Sequence, residues 1–239
     1  MNLMARASHL LSRWEPAFAL KQELDMLPGI LARRSGTDRS WSQFGEDEIF
    51  CRELADIIHS GYYLEIGANH PAKISNTYRL YCKGMRGITI EPDSILSKLH
   101  EKYRPGDIQL CAGASDKDGL SDYYRISPHV LSTFSNAERE LRLSQGERMV
   151  SHSLKPVFTV STILAACSFP DRPIFALLSV DTEGLDEMVL RSNDWSTYRP
   201  RIISVENNEK DSRLRSYLAG VGYARIATSG CNEIYKISR

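Results

Sequence analysis

The sequence predicts an α/β fold built on a mostly parallel β-sheet that closes with an antiparallel hairpin. From residue 41 onward, short apolar runs alternate with segments in which apolar residues recur at helical spacing. The runs are almost continuously apolar, as in strands that are buried on both faces of a parallel sheet. The last two runs flank a turn at residues 229–232, and this arrangement predicts the hairpin.

The same alternation gives the order of the elements. We predict strands at residues 62–66, 87–91, 108–112, 175–180, 202–205, 223–227 and 233–237. We predict helices at residues 43–59, 93–103 and 185–191, with shorter helical segments around 78–81 and 214–218. Residues 113–174 interrupt the alternation between the third and fourth strands. We expect an insertion there, with extra strands at 122–126 and 157–160 around a mobile, partly helical stretch that covers the active face.

Length and composition restrict the class of protein. The chain has 239 residues, of which 42% are hydrophobic and 25% charged, so it is long enough for a full core and is neither disordered nor fibrous. Thirty Lys and Arg residues balance thirty Asp and Glu residues, and the formal net charge is zero. A global electrostatic grip on nucleic acid is therefore not expected.

The cysteines and the hydropathy pattern favour a cytoplasmic protein. Five widely spaced cysteines contain no C-x-x-C pair, which predicts reduced, buried thiols. No apolar run is long enough for a transmembrane helix, and the N-terminus lacks a convincing signal-peptide cleavage site.

Residues 1–40 have the composition of a helical extension. They hold six Lys and Arg residues and four acids, with apolar residues at helical spacing between them. Such amphipathic helices either pack on the main domain or serve a membrane or a partner. The linker-like stretch at 33–40 divides the chain into an extension, 1–40, and a main domain, 41–239. Because every predicted strand follows residue 41, we expect deletion of residues 1–35 to leave a folded domain that still binds its ligand.

Carboxylates follow nearly every predicted strand. In an open α/β sheet this edge binds the ligand, and here it carries Glu65 and Gly67, Glu91, Ser115 and Asp116, Asp181 and Glu183, and Glu206 and Asn207. Neither a P-loop nor the G-x-G-x-x-G pattern of dinucleotide-binding folds is present. Glu91 lies 24 residues after Gly67, where a carboxylate can accept both hydroxyls of a ribose. A cationic, ribose-bearing ligand without phosphate fits best, and S-adenosylmethionine is such a ligand.

Five segments in order resemble the FkbM-type methyltransferases. They are Ser42-Gln43-Phe44-Gly45-Glu46-Asp47, residues 63–69 (YLEIGAN), residues 88–92 (ITIEP), Ala114-Ser115-Asp116 and residues 178–184 (LSVDTEG). The resemblance runs from about residue 41 to the C-terminus. It implies a class I, Rossmann-like methyltransferase fold, S-adenosylmethionine as the donor, and O-methylation of a sugar, glycan or polyketide-type hydroxyl. It also implies that Glu65, Gly67, Asn69, Glu91, Ser115 and Asp116 bind the donor. His70-Pro71 stands where many members have a second glycine.

Asp181 is the principal candidate for catalysis. Methyl transfer to oxygen requires an aligned acceptor and a group that removes the hydroxyl proton. Asp181 ends the fourth strand and could be this base, a metal ligand or only a cap on the following helix. With Glu206 and Asn207 it forms an oxygen-rich triplet of the kind that Mg²⁺ accepts, similar to the ligands of catechol-type O-methyltransferases. Among the histidines, His70 is the best placed for catalysis because it lies in the predicted donor loop.

Two other functions stay open at this point. A non-catalytic α/β module could keep the donor-nucleoside pocket without an acceptor site. A nucleotide-dependent oxidoreductase would share the sheet but would bind NAD.

Overall fold

A computed structural model of the chain describes residues 15–207 and 211–238. Within these residues, ten strands form two sheets. In chain order they are β1 (Gly61–Ile66), β2 (Arg86–Ile90), β3 (Ile108–Leu110), β4 (Gly113–Ala114), β5 (Gly119–Ser127), β6 (Arg148–Phe158), β7 (Ile174–Val180), β8 (Ile202–Glu206), β9 (Tyr223–Ser229) and β10 (Asn232–Ile237).

The main sheet has seven strands in the order β3-β2-β1-β7-β8-β10-β9. All neighbouring strands from β3 to β8 are parallel, and β10 is antiparallel to both β8 and β9. The predicted mostly parallel sheet and its closing hairpin are therefore confirmed. The strand order reverses between β1 and β7, because the chain leaves β1 toward β2 and returns on the other side. Ligands of open α/β sheets bind at such a switch point.

Helices cover both faces of this sheet. The described residues contain α1 (Glu15–Asp25), α2 (Leu27–Ser35), α3 (Glu46–Glu53), α4 (Tyr78–Cys82), α5 (Ser94–Tyr103), α6 (Asn136–Ser144), α7 (Val160–Ala166), α8 (Asp186–Arg191) and α9 (Ser212–Gly220). Successive residues of a strand point to opposite faces. Leu64 accordingly packs in a core with α7, α8 and α9, whereas its neighbour Tyr63 packs in a second core with α3 and α4.

Several predicted boundaries differ from the structure for local reasons. The helix predicted at 43–59 begins only after Gly45, whose φ of +86° lies outside the helical region, and α3 gives way to a 3-10 turn at Ala55–Ile57. The strand predicted at 157–160 ends at Phe158. Thr159 instead caps α7, because its hydroxyl accepts a hydrogen bond from the Thr162 amide at 3.0 Å.

The insertion forms a second sheet of its own, in the order β4-β6-β5. β5 and β6 are antiparallel, and α6 lies between them in the chain, so the extra strands and the helical stretch expected there are present. The insertion also reaches the end of β7, where the Thr133 hydroxyl donates to the Glu183 carbonyl oxygen at 2.9 Å. It therefore lies over the carboxyl ends of the parallel strands.

The helices of the N-terminal extension pack tightly on the main domain. Phe18 of α1 is buried against Leu96 and Leu99 of α5, and Met26 is buried against Ala72 and Tyr78. Because deletion of residues 1–35 would remove these contacts, it should cost stability, which counts against our prediction that the shortened chain folds and binds its ligand. Residues 1–14 of the predicted extension lie outside the described residues, and the division at residue 40 stays a prediction. None of the helices within residues 15–207 and 211–238 has the length and apolar character that a membrane crossing requires.

Candidate functional site

A cavity of about 410 Å³ lies at the carboxyl ends of β1, β2, β7 and β8. This volume is in the range of small-molecule sites. Its floor is formed by the strand ends and its cover by residues of the insertion. Five carboxylates line it, and Arg142 is the one Lys or Arg side chain among the lining residues that the structure describes; the carboxylates are Glu65, Glu91, Asp181, Glu183 and Glu206. An excess of negative charge around a cavity favours a cationic ligand.

Gly67 brings the two central strand ends together. Its φ is +76°, and a Cβ atom at this position would lie 1.7 Å from the carbonyl oxygen of Asp181. The Asp181 amide donates to the Ile66 carbonyl at 3.0 Å, which holds the segment after β7 against the end of β1. No residue other than glycine fits this approach.

Glu91 joins the loop after β1 to the end of β2. One carboxylate oxygen accepts from the Asn69 amide at 2.8 Å and the other accepts from the Asp93 amide at 2.7 Å. The side chain is almost fully buried and lines the cavity. Burial, reinforced by the nearby Asp93 carboxylate, raises the pKa of Glu91 to about 8. Each of its oxygens keeps a lone pair for a ligand hydroxyl.

Asn69 is fixed in an uncommon backbone conformation next to Glu91. Its φ is +50°, a region that asparagine tolerates better than most residues. Its carbonyl oxygen lies 2.9 Å from Nε2 of the buried His100, and its side-chain oxygen lies 3.1 Å from Nε2 of His129. The predicted donor loop therefore contacts Glu91 at the end of β2, His100 of α5 and His129 of the insertion.

Glu65 sits deeper, at the end of β1. It is buried, accepts from the Thr77 hydroxyl and lies 3.5 Å from Nη1 of the fully buried Arg104. Burial raises the pKa of Glu65, and the Arg104 guanidinium counteracts that rise. Arg104 also bonds Asp107, at 2.7 Å, and the Tyr63 hydroxyl, at 2.6 Å. Glu65 therefore belongs to a fixed polar network beneath the cavity.

The two halves of the cavity differ in chemistry. On the side of β2 and β3 the lining is apolar, with Ile90, Pro92, Leu96 and Ala112. On the side of β7 and β8 it is acidic: Asp181, Glu183 and Glu206 each have a carboxylate oxygen, and these oxygens all lie within 4.8 Å of one another. Glu91 and Gly67 lie between the halves, because β1 and β2 are the central strands of this part of the sheet.

Burial and mutual repulsion raise the pKa values of carboxylates in the acidic half of the cavity. Burial, followed by the charge of Glu206, raises the pKa of Asp181 well above the ordinary value and raises that of Glu183 to about 8. Arg142 of α6 offsets part of this charge, since its Nη2 lies 3.2 Å from Glu183 and 2.5 Å from Glu138. The cluster is therefore poised to bind either protons or a cation.

The helix-cap interpretation of Asp181 does not hold. α8 begins at Asp186, after Leu185 as its N-cap residue, and no cap hydrogen bond comes from Asp181. Asp186 itself accepts from the Thr182 amide at 2.9 Å and so fixes the turn between β7 and α8. Asp181 is left to face the cavity.

Asn207 does not join the acidic cluster. Its side-chain nitrogen donates to Glu233 at 3.1 Å, and its side-chain oxygen accepts from the Asp211 amide at 2.7 Å. Asn207 is not among the residues that line the cavity. Of the three residues predicted to bind a metal, Asp181 and Glu206 lie together with Glu183, whereas Asn207 lies apart from them.

His70 belongs to the predicted donor loop but does not line the cavity. Its Nδ1 accepts from the amides of Ala72 and Lys73, at 3.1 and 2.8 Å, so its Nε2 carries the proton and donates to the Gln22 carbonyl oxygen at 2.9 Å. Burial lowers its pKa and favours this neutral form. Both ring nitrogens are occupied, and the contacts indicate a structural role in place of the predicted catalytic one.

Ser115 and Asp116 also lie outside the cavity lining. The Ser115 amide donates to the Phe158 carbonyl at 3.0 Å, within the second sheet, and its hydroxyl donates to the exposed Asp116 at 3.2 Å. The chain turns into β4 before these residues, so Ala112, Gly113 and Ala114 line the cavity instead. Gly113 itself is the one feature of the sequence that could have indicated this early turn.

The sheet order and the cavity at its switch point define a Rossmann-like α/β protein of the methyltransferase type. The sequence model of the methyltransferase FkbM domain matches residues 65–224, about two thirds of the chain. The chain therefore belongs to the FkbM methyltransferase family, as its motifs indicated. The match contains Gly67, Glu91 and Asp181 and leaves out α1, α2 and α3. No curated protein matches the sequence at a significant level.

Proposed function

We propose that this protein transfers a methyl group from S-adenosylmethionine to a hydroxyl oxygen of a sugar, glycan or polyketide-type acceptor. One observation carries the proposal: the cavity changes from apolar to acidic across a buried carboxylate, Glu91, and has a single Lys or Arg side chain among its described lining residues. A ligand with an aromatic base, a ribose and a cationic end matches this sequence of surfaces. A ligand with a pyrophosphate does not.

The residues of the cavity fit this donor. The apolar side chains of Ile90, Pro92 and Leu96 suit a nucleobase. The two carboxylate oxygens of Glu91 would accept the two ribose hydroxyls through the lone pairs that the backbone amides leave free. Gly67 lets the backbone approach closely at the middle of the cavity.

The acidic half would serve the reaction. When bound, S-adenosylmethionine supplies an electrophilic methyl carbon on a positively charged sulfur. The carboxylates of Asp181, Glu183 and Glu206 would stabilise positive charge at this end of the cavity. Asp181 would accept the proton of the acceptor hydroxyl, because a buried carboxylate with a raised pKa is a stronger base than an exposed one.

The same three carboxylates are also the candidate ligands of a divalent metal such as Mg²⁺. Hard cations take oxygen ligands, and the three oxygens are close enough to share one ion. In that role the ion would lower the pKa of the acceptor hydroxyl. Activity that is lost in EDTA and restored by Mg²⁺ or Mn²⁺ would favour the metal, and activity unchanged by EDTA would favour Asp181 as the base.

Calorimetry tests the donor assignment. We expect S-adenosylhomocysteine to bind the full chain and NAD not to bind. Transfer of labelled methyl from S-adenosylmethionine to a component of a cell extract would then establish catalysis and exclude a non-catalytic module. Binding of NAD without binding of S-adenosylhomocysteine would overturn the proposal.

We also propose that the protein works in the cytoplasm. All five cysteines are free thiols, which suits a reducing compartment, but none of them is buried as predicted: Cys82 and Cys111 are exposed, and Cys51, Cys167 and Cys231 are partly exposed.

A further inference from the structure

The segment Ser42-Gln43-Phe44-Gly45-Glu46-Asp47 has no part in the function proposed above, although it lies at the cavity. Phe44 is 47% exposed, a large fraction for a phenylalanine, and its backbone is nevertheless fixed on both sides. Its amide donates to the Glu46 carboxylate at 2.9 Å, and its carbonyl accepts from the Ser229 hydroxyl at 2.7 Å. An aromatic side chain is therefore held at the surface by a rigid main chain.

The ring rests on a glycine. A Cβ atom at Gly230 would lie 2.1 Å from Cδ2 of Phe44, so the ring is in direct contact with the backbone of the turn between β9 and β10. Any larger residue at position 230 would displace the ring. Phe44 and its neighbour Gln43 both line the cavity.

Buried polar groups support this arrangement. Glu46 is fully buried, and its second oxygen accepts from the Asn232 side chain at 2.7 Å. Asp47 is also fully buried and accepts from the Trp41 amide at 2.7 Å and from the Ser40 hydroxyl at 2.6 Å. Burying two carboxylates is costly unless they are hydrogen-bonded, and here those bonds hold the turn that carries Phe44.

Phe44 lies at the acidic end of the cavity. Its neighbour Gly230 is followed by Cys231, whose thiol is hydrogen-bonded to Glu206. Glu206 in turn belongs to the cluster with Asp181 and Glu183. The ring is therefore on the side where the hydroxyl would react and away from the apolar half that suits the nucleobase.

Two further exposed apolar side chains line the same cavity. They are Ile74, 44% exposed, and Val130, 36% exposed. Together with Phe44 they give the cavity an apolar rim, while the five carboxylates inside disfavour an anionic group.

We propose that Phe44 binds the methyl acceptor, and that the acceptor is an uncharged, hydroxylated ring which lays a C–H face on the Phe44 ring. This inference rests on the proposed function and adds a specificity residue and a substrate class to it. Neutral glycosides have this chemistry: one face presents C–H groups to an aromatic ring while hydroxyls project from the edge. A sugar phosphate or a nucleoside diphosphate sugar lacks the required neutrality.

Saturation-transfer NMR on the full chain, with saturating S-adenosylhomocysteine, tests the inference. The probes are methyl β-D-glucopyranoside, methyl α-L-rhamnopyranoside and glucose 1-phosphate. We expect saturation transfer to the ring C–H protons of at least one methyl glycoside and none to glucose 1-phosphate. The variant Phe44→Ala should lose at least fivefold of this signal, Phe44→Leu should lose part of it, and Phe44→Tyr should keep it. Leu154→Ala is the matched control, because Leu154 is exposed but does not line the cavity.

The inference is overturned if no methyl glycoside binds the wild-type protein, if Phe44→Ala binds as well as wild type, or if glucose 1-phosphate binds better. Calorimetry with S-adenosylhomocysteine separates this failure from that of the proposed function. If S-adenosylhomocysteine fails to bind the wild-type chain, the proposed function fails. If it binds the wild type and Phe44→Ala equally while the glycoside results go against Phe44, only the acceptor assignment fails.

Discussion

Gly67 shows how strongly a single residue constrains this site. The ends of β1 and β7 touch at this position, where a side chain has no space and the backbone has a positive φ. Gly36, at the end of α2, has a similar φ of +69°, but no atom lies within 4 Å of the place a Cβ would take. Alanine substitutions at these two positions therefore separate the cost of backbone strain from the cost of a steric clash.

We predict that Gly67→Ala lowers the free energy of unfolding by about 3 kcal/mol or more and abolishes binding of S-adenosylhomocysteine. Gly36→Ala should lower it by about 1 kcal/mol, the backbone component alone, and leave binding intact. Urea denaturation and calorimetry on both variants measure these effects. Equal losses of stability in the two variants would show that the contact with Asp181 is relaxed in solution.

The raised pKa of Glu91 predicts how the ligand affinity depends on pH. Hydroxyl donors favour the ionised carboxylate, and the pKa of Glu91 is raised to about 8, so the affinity for adenosine should increase as the pH rises through this value. Glu91→Gln should bind adenosine at least tenfold more weakly and should lose the pH dependence. Asp116→Asn, at an exposed residue outside the cavity, is the control. A Glu91→Gln protein with wild-type affinity would show that Glu91 only supports the loop.

The stability of the ligand-free protein should change with pH in the opposite direction to the ligand affinity. A carboxyl with a raised pKa in the folded state contributes stability that is fully present below its ordinary pKa of 4.5 and is lost as the pH rises through about 8. The ligand-free wild type should therefore lose unfolding free energy across this window, and Glu91→Gln should lose less. Denaturant titrations at pH 5 and pH 8.5 measure the difference.

Residue types at strand ends were predictable, whereas the directions of their side chains were not. Glu65, Gly67, Asn69, Glu91 and Asp181 all line the cavity, because the carboxyl ends of parallel strands meet at one edge. Sequence position alone could not show that Asn207 turns toward Glu233. Its partner lies on β10, 26 residues later, and the pairing depends on the register of the hairpin.

Helices α1 and α2 contact the loop that follows β1, or residues packed on it, without lining the cavity. The ring of Phe18 contacts His129, with ring centroids 5.2 Å apart, and His129 contacts the side chain of Asn69. The Gln22 carbonyl of α1 fixes His70 from the other side. These contacts link the N-terminal helices to the loop that follows β1.

We predict that Phe18→Ala lowers the unfolding free energy by about 3–4 kcal/mol, as expected for a buried phenylalanine, and weakens binding of S-adenosylhomocysteine. Leu20→Ala, on the same helix but 61% exposed, should change both by little. Deletion of residues 1–35 should reproduce the loss of affinity. If the truncated chain binds the ligand as tightly as the full chain, the helices do not act on the loop.

The strands were easier to predict than the helices that surround them. Strands β1, β2, β7 and β8 are almost uninterrupted apolar runs because both of their faces are covered. The packing of α2 was not predictable, because it depends on Ala72 and Tyr78, which follow the first strand in a segment without clear periodicity. Their contact with α2 includes Gly29, where a Cβ would lie 3.1 Å from Ala72.

The acidic cavity has opposite effects on the stability of the ligand-free protein and on the binding of a cationic ligand. The chain has no net charge, yet five carboxylates line one cavity, and burial raises the pKa values of four of them, Glu65, Glu91, Asp181 and Glu183. Such an arrangement lowers the stability of the ligand-free protein, and binding of a cation should restore that stability.

We predict that Asp181→Asn raises the melting temperature of the ligand-free protein at pH 8 by a few degrees, since the buried charge is removed while the backbone contacts stay. The same change should lower kcat by about 10²–10⁴-fold, the usual effect of losing a positioned base. Asp194→Asn is the control: Asp194 accepts hydrogen bonds from Ser196 and Thr197 that lower its pKa, so its loss should be slightly destabilising. A turnover near that of wild type in Asp181→Asn would exclude its catalytic role.

The position of β1 in the sheet also has a consequence for synthesis. β1 pairs with β2, which follows it closely, and with β7, which emerges from the ribosome more than a hundred residues later. Until then one edge of β1 has no partner, and exposed edges promote aggregation. The nascent chain thus carries Glu65, Gly67 and Glu91 before the opposite wall of the cavity exists. Pauses in translation before residue 174 would prolong this exposed state, and a chaperone that shields strand edges would have its greatest effect during that interval.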